Sequence, residues 1–314
     1  MRKLVAYRLA LALPQLAAVS LVVFSLTYLI PGSPAAAILG AQATPERIEQ
    51  VEAQLGLDRP ALVRLVEWYA GAFQGDLGVS FATARPVTDM LLQRMPATLS
   101  LVFGGITVAL LLGISLGALA GMRPGSALDR VVSSVTSVGL ALPQFWAGLL
   151  LTLVFAVNLG WVPVIAYTPP GDDPLAWLHG LILPSLALGI SAAALIARQT
   201  RTAMAEALSS RYVDTLTAAG VSRRRIVLRY GLKNAMVPVL ATTGITFSIL
   251  IGASFVVEKV FAFPGVGSLM LTSVIGKDFP VVQAGVLIIA CLVITVNLFI
   301  DMGYGLLNPK ARPQ

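Results

Sequence analysis

Charged side chains are scarce in this sequence. Asp, Glu, Lys and Arg make up 12% of its 314 residues, against about 25% in a typical soluble domain. Over such a length, that deficit excludes an ordinary soluble globular protein. The 57% hydrophobic content excludes disorder as well. Cysteine and histidine are nearly missing: Cys291 and His179 stand alone. One of each provides no disulfide framework, zinc cluster or Cys–His nucleophile pair within the chain. No G-x-x-x-x-G-K-[ST] occurs; Gly276-Lys277-Asp278 has the wrong neighbours. The chain therefore cannot cradle ATP phosphates by that loop, and no cofactor or metal site of its own is expected.

What is abundant is long apolar runs. A helix rises about 1.5 Å per residue, so about 20 apolar residues cross a membrane core of about 30 Å. Six stretches qualify: 9–30, 98–121, 133–157, 181–197, 235–257 and 281–306. The first is too long for a signal peptide and ends at Pro31-Gly32 without a small-residue cleavage site, so it reads as a retained helix. The expectation is an all-α protein with six transmembrane helices. Its divisions are a tip and first span (1–30), a segment outside the membrane (31–97), a five-helix core (98–306) and a tail (307–314).

The net charge of +7 becomes informative once it is placed. Lys and Arg number three at the N-terminal tip, two in 122–132, eight in 198–234 and two in the tail. The intervening segments 31–97, 158–180 and 258–280 hold five, none and two. Fifteen on one side against seven on the other predicts both termini and 198–234 in the cytoplasm, with 31–97 outside.

The segment 31–97 has its own structure. Thr44-Pro45-Glu46 reads as an N-cap, a first-turn proline and an acid at the positive helix end. Ile48, Val51 and Leu55 recur at helical spacing before Gly56 stops the helix. A second helix starting near Asp58 aligns Leu62, Leu65, Val66 and Tyr69. The pattern suits an amphipathic hairpin lying on the membrane face; the same surface could dock an external partner.

The segment 198–234 is too polar to cross and too patterned for a loose loop. Ala203–Leu208 is rich in helix formers, Gly220 permits a left-handed helix end, and Ser222 can cap a helix beginning Arg223-Arg224-Arg225. Arginines alone would serve as a headgroup anchor. A glycine corner and a return helix make instead a rigid protrusion able to receive force from a soluble motor.

Here the sequence resembles a family. Tyr212-Val213-Asp214-Thr215-Leu216-Thr217-Ala218-Ala219-Gly220, followed by Lys233-Asn234-Ala235-Met236-Val237-Pro238, looks like the cytoplasmic EAA-type loop of binding-protein-dependent ABC importer permeases. The form is that of the dipeptide/oligopeptide/nickel class. Asp214-Thr215-Leu216 departs from Glu-Ala-Ala, while Gly220, Asn234 and Pro238 match. Similar stretches follow one another along the chain: Ile30-Pro31-Gly32-Ser33-Pro34-Ala35, Leu55-Gly56-Leu57-Asp58-Arg59-Pro60, Gly75-Asp76-Leu77-Gly78-Val79-Ser80, Arg94-Met95-Pro96-Ala97-Thr98-Leu99, Phe261-Ala262-Phe263-Pro264-Gly265-Val266-Gly267-Ser268-Leu269 and Asp278-Phe279-Pro280-Val281-Val282-Gln283. The long segment after the first span resembles the B-type subunit. The resemblance implies a type I importer permease in a bacterial inner membrane. It implies pairing with a second homologous permease, docking of two ATPases that hold ATP and Mg, and delivery of peptide by an external binding protein. Nickel, glutathione or heme are other cargoes of that class.

The resemblance further implies a coupling surface at Tyr212, Asp214, Ala218, Ala219, Gly220, Ser222, Arg223, Arg224, Arg225, Asn234 and Pro238. It implies an external gate region at Phe261, Phe263, Pro264, Gly265 and Gly267. By composition alone, 258–280 is a short apolar helix after a Pro-Gly turn, re-entrant or interfacial rather than spanning. Gly104, Gly105, Gly113, Gly117 and Gly121, with Ser133, Ser134, Thr136 and Ser137, favour close helix packing over ligand binding. Arg198 and Arg201 read as anchors that could also meet a peptide carboxylate. Asp301 and His179 read as span-edge residues, and Cys291 as packing or lipid-facing. Two other classes fit less well. An ion-coupled transporter needs inverted repeats and midplane ionisable residues, which the sequence lacks. A membrane scaffold would use 212–230 for interaction alone.

Overall fold

The computed structural model describes residues 2–29, 32–163 and 167–307; Ile30, Pro31 and the tail 308–314 lie outside the described residues. Among them the regular elements are all helices apart from one isolated bridge, Val79 with Pro86. The helices are α1 (Arg2–Leu29), α2 (Pro34–Leu39), α3 (Pro45–Gln54), α4 (Ala61–Phe73), α5 (Val87–Gly121), α6 (Ala127–Ala141), α7 (Gln144–Leu151), α8 (Pro174–Leu208), α9 (Arg211–Ala218), α10 (Arg223–Arg225), α11 (Leu232–Val260), α12 (Val266–Ile275) and α13 (Phe279–Leu307). Among the described residues, five helices are long and apolar enough to span a membrane: Val5–Thr27, Val87–Gly121, Pro174–Leu208, Arg223–Val260 and Phe279–Gly305. α6 together with α7 and the π-helical stretch Thr152–Asn158 that continues it, joined at a bend of 103°, makes a sixth when the bent pair is taken as one broken span.

That bend corrects the expected straight helix over 133–157. Pro143 follows Leu142, and a residue before proline is pushed out of the helical region. Leu142 is accordingly extended, with φ −76° and ψ 120°. Its carbonyl still finds a partner, because the Ser191 hydroxyl donates to it at 3.2 Å. The fourth span is also longer than expected. α8 has 35 residues, about 50 Å at 1.5 Å per residue, so it carries Arg198–Leu208 as its own C-terminal end.

The chain forms two compact units. The first comprises residues 1–7, 99–263 and 295–314. Here α8 is central and packs against α6, α7 and α11. Leu188, Ile196, Met204, Phe247, Leu250 and Ile251 fill its core. α5 meets α8 along Gly113, Gly117 and Gly121. A Cβ on Gly113 would lie 2.8 Å from the Ala193 carbonyl, and one on Gly121 would lie 2.6 Å from that of Arg201. Small residues one turn apart let two backbones touch, the packing that the glycine spacing leads one to expect.

The second unit comprises residues 8–98 and 264–294. α3 is capped by the Thr44 side chain, which accepts from the Arg47 N–H, with Pro45 in the first turn. It stops at Gly56, φ 65°. α4 begins at Ala61, after Pro60 rather than near Asp58. Ser20 of α1 and Tyr69 of α4 join through their hydroxyls. A helix that the sequence did not announce, α2, is capped by Ser33, which also donates to the Glu52 carboxylate of α3.

Candidate functional site

The connection from α8 to α11 is built from short elements with defined ends. α9 begins after Ser210 and buries one face through Val213, 4% exposed. It ends at Ala219, where Gly220 adopts φ 75°. Gly220 donates to the Thr217 carbonyl and Val221 to that of Leu216, both at 3.0 Å. These two bonds satisfy carbonyls that a helix end leaves bare. The chain then turns into Arg223–Arg225, runs through a π-helical stretch Ile226–Gly231, and continues as α11.

Two features differ from the sequence expectation. Ser222 stands at the N-cap position, but its hydroxyl makes no cap bond; its carbonyl accepts the Ile226 N–H instead. The expected separate return helix is the beginning of the long helix Arg223–Val260. π-Helical register places that beginning just ahead of Pro238, which lies inside α11 and cannot donate there.

The feet of the connection are held together. Ala203, Met204, Val227 and Ala235 form one buried cluster, with Met122, Leu208 and Leu232 against it. At the rim, the Tyr212 hydroxyl accepts from the Asn234 amide at 3.1 Å. Two residues 22 positions apart, both singled out from the sequence, thus meet directly. Asp214, Ala218, Ala219, Gly220, Ser222, Arg223, Arg224 and Arg225 are all exposed. Burying Val213 at the root while leaving a small, positively charged tip exposed gives a projection with a free end.

The sequence family described as "Binding-protein-dependent transport system inner membrane component" matches residues 113–313, and the corresponding N-terminal family matches residues 1–102. The chain belongs to this family. It is a transport permease subunit and a multi-pass inner-membrane protein. A Brucella abortus (strain 2308) protein provisionally named a peptide transport system permease is 37% identical over 312 residues, 99% of each chain. The glutathione transport system permease GsiC of Escherichia coli (strain K12) is 40% identical over 305 residues, 97% of each. Among solved structures, an inward-facing form of the MetNI methionine ABC transporter superposes with TM-score 0.58 at 22% identity. It covers 70% of this chain and 96% of that one.

The permease's other expected site divides between its two units. In the first unit, Phe261 and Phe263 are buried, at 4% and 2% exposure. Phe261 packs on Gly148, where an added Cβ would come within 2.9 Å of the ring. Phe263 meets Tyr167 edge to face, with centroids 4.8 Å apart, and its N–H donates to the Glu258 carbonyl. In the second unit, Pro264 and Gly265 lead into α12, and Gly267 is buried in its first turn. The Val266 N–H there donates to the Thr98 hydroxyl at 2.8 Å.

Sequence reading missed what Asp278 does. Its carboxylate, 3% exposed, accepts from the Ser80 hydroxyl and, at 2.9 Å, from the Phe81 N–H. Two stretches noticed separately, Gly75–Ser80 and Asp278–Gln283, thereby become one structure in the second unit. It also missed Asp129. Arg201 grips that carboxylate with Nε and Nη2, the latter at 2.7 Å, and the Gly125 N–H donates to it at 2.8 Å. Neither pairing has a local signal, because the partners lie 198 and 72 residues apart.

Proposed function

We propose that this chain is the B-type permease subunit of an ATP-driven importer of di- and oligopeptides, with α9 and its glycine corner as the coupling element. The observation that carries this reading is the projection itself: a helix with one buried residue, Val213, a Gly220 corner and an exposed tip, between two helices whose ends the cluster around Met204 joins. The tip residues Asp214, Ala218, Ala219, Gly220, Ser222, Arg223, Arg224 and Arg225 would enter a groove of an ATPase. Tyr212, Asn234 and Pro238 would keep the projection stiff. A push on α9 would reach α11 through the Tyr212–Asn234 bond and α8 through the chain and the cluster that joins α8 to α11, so ATPase closure would tilt both long helices. Such a stroke works only by favouring one permease state over the other.

In this reading a second homologous permease completes the path, two ATPases bind ATP and Mg, and an external binding protein delivers cargo over residues 31–97. Both termini and 198–234 face the cytoplasm, as the Lys and Arg distribution favours. Phe261, Phe263, Pro264, Gly265 and Gly267 belong to the external gate region. Peptide is the cargo that the Brucella relative's name supports. The Escherichia relative supports glutathione, itself a short peptide, as the second reading.

Gly220→Pro tests the coupling role. Proline cannot take φ 75° and removes the N–H given to Thr217. Peptide uptake should be abolished while the chain still inserts in the membrane at normal level. Normal uptake by that variant would sink the coupling role.

A further inference from the structure

The Asp129–Arg201 pair leaves a neighbour without compensation. Arg198 lies one turn before Arg201 on α8 and is exposed; it makes no ion pair or hydrogen bond among the described residues. It lines a cavity of about 310 Å³ in the first unit, together with Arg201 and Thr202 of α8 and Ser133, Thr136 and Ser137 of α6. Arg201 is neutralised by its fork onto Asp129. The net charge of this cavity is therefore the one positive charge of Arg198.

Two observations bear on what that charge faces. On α6 the exposed residues divide into an apolar set, Val131, Val135 and Val138, and a hydroxyl set that includes Ser134 and Ser137. The apolar set suits lipid. Of the hydroxyl set, Ser137 lines the same cavity as Arg198. Arg198 immediately follows the apolar stretch 181–197, so its charge stands at the mouth of the path, within reach of water. Thr202 is one turn from Arg198 on the same face and its hydroxyl is unpartnered among the described residues. Ser137 donates to the Ser133 carbonyl at 2.8 Å, and its O–H can rotate to an incoming acceptor. Arg198, Thr202 and Ser137 so converge on a water-lined anion site, and guanidinium is the side chain best shaped for a carboxylate.

We infer that Arg198, with Thr202 and Ser137, forms a carboxylate subsite at the cytoplasmic end of the translocation path, taking the terminal carboxylate of the departing peptide. The inference rests on the importer reading for its cargo, and on the cavity alone for its preference for anions. Asp129 holds the wall of the subsite by immobilising Arg201, so that only Arg198 is available to substrate.

The test separates the two supports. Ser137→Cys in a Cys291→Ser background is placed in inside-out vesicles of the assembled complex. It is treated with an anionic probe, 2-sulfonatoethyl methanethiosulfonate, and a cationic one, the 2-trimethylammonioethyl analogue. The thiol should react with both, and adding Arg198→Gln should lower the anionic-to-cationic rate ratio about tenfold. Arg198→Lys should retain most of the ratio, which shows that charge and not a folding defect is read. An unreactive thiol at 137, with Ser222→Cys labelled normally, would overturn the water-lined site. A ratio unchanged by Arg198→Gln would overturn the anion preference. In uptake, Arg198→Gln should raise the half-saturating concentration of trialanine with little change in maximal rate, whereas a mere anchor would lower both rate and membrane level. If wild type moves no trialanine, the peptide reading falls, and the labelling ratio still decides the subsite.

Discussion

Along Gly113, Gly117 and Gly121, α5 meets α8 through bare backbone, whereas Ser80 and Asp278 are joined by a buried charge. Both contacts tie together parts of the chain far apart in sequence. The glycine seam uses close approach: an added Cβ at Gly117 would sit 2.6 Å from that of Thr200. Its strength is dispersion, with Ile196, Thr200 and Met204 of α8 seated in the notches that the three glycines leave. The Asp278 contact uses one carboxylate with two donors, the Ser80 hydroxyl and the Phe81 N–H. It has one geometry and no tolerance for loss of the acceptor. The seam fails when its notches are filled, and the hub fails when its acceptor is lost.

The widest break in this comparison is Gly117→Leu. Four added carbons have no space between α5 and the Ala197 carbonyl and Thr200 Cβ of α8. Overpacking commonly costs about 1–3 kcal/mol, and here the obstacle is rigid main chain, so about 3 kcal/mol or more is expected. Size-exclusion chromatography of the solubilised protein should show loss of the monodisperse peak. Gly252→Leu is the control, because nothing lies within 4 Å of a Cβ there; equal loss in both variants would refute the seam.

Asp278→Ala comes next. It strands the Ser80 hydroxyl and the Phe81 N–H at a buried position, at a cost of about 3 kcal/mol. Asp278→Asn keeps one acceptor oxygen and should cost about 1 kcal/mol. Thermal unfolding of the purified protein ranks the two. Proteolysis between residues 76 and 86 should rise in the alanine variant before global unfolding. If alanine and asparagine are equally stable, the carboxylate does not hold this loop.

These two contacts also mark where sequence is readable. Glycines four apart on an apolar run announce a seam, because the spacing and the helix period are both visible in one stretch. The caps at Thr44 and the stop at Gly56 are local for the same reason. Asp278 is one acid beside a turn, and its meaning comes from Ser80, 198 residues away. The bend at Leu142–Pro143 was locally legible, since proline restricts the residue before it, yet hydropathy runs smoothly across the pair and hides it. At the coupling element, Gly220, Tyr212 and Asn234 could each be singled out by the resemblance, whereas the contact between the last two is visible only in the fold. The failure of the Ser222 hydroxyl to cap could not, because a π-helical stretch starts at Ile226 and resets the turn.

The smallest effect sharpens the comparison most. Gly56 and Gly220 end short amphipathic helices in the same way, with φ 65° and φ 75°. Alanine at either meets only a flexible Arg59 side chain at Gly56 and open space at Gly220. The penalty is therefore conformational, about 1 kcal/mol at each site. Stability should fall equally and slightly, and both variants should reach the membrane. If α9 carries force, a strained corner at 220 lets the tip swing and weakens its seat on an ATPase. Peptide uptake should then fall several-fold in Gly220→Ala, with ATP hydrolysis by the complex less responsive to binding protein. Gly56→Ala should keep near-normal uptake, because its hairpin transmits no stroke. Equal uptake in the two variants would show that the two corners differ only in address, and would leave α9 as a surface anchor.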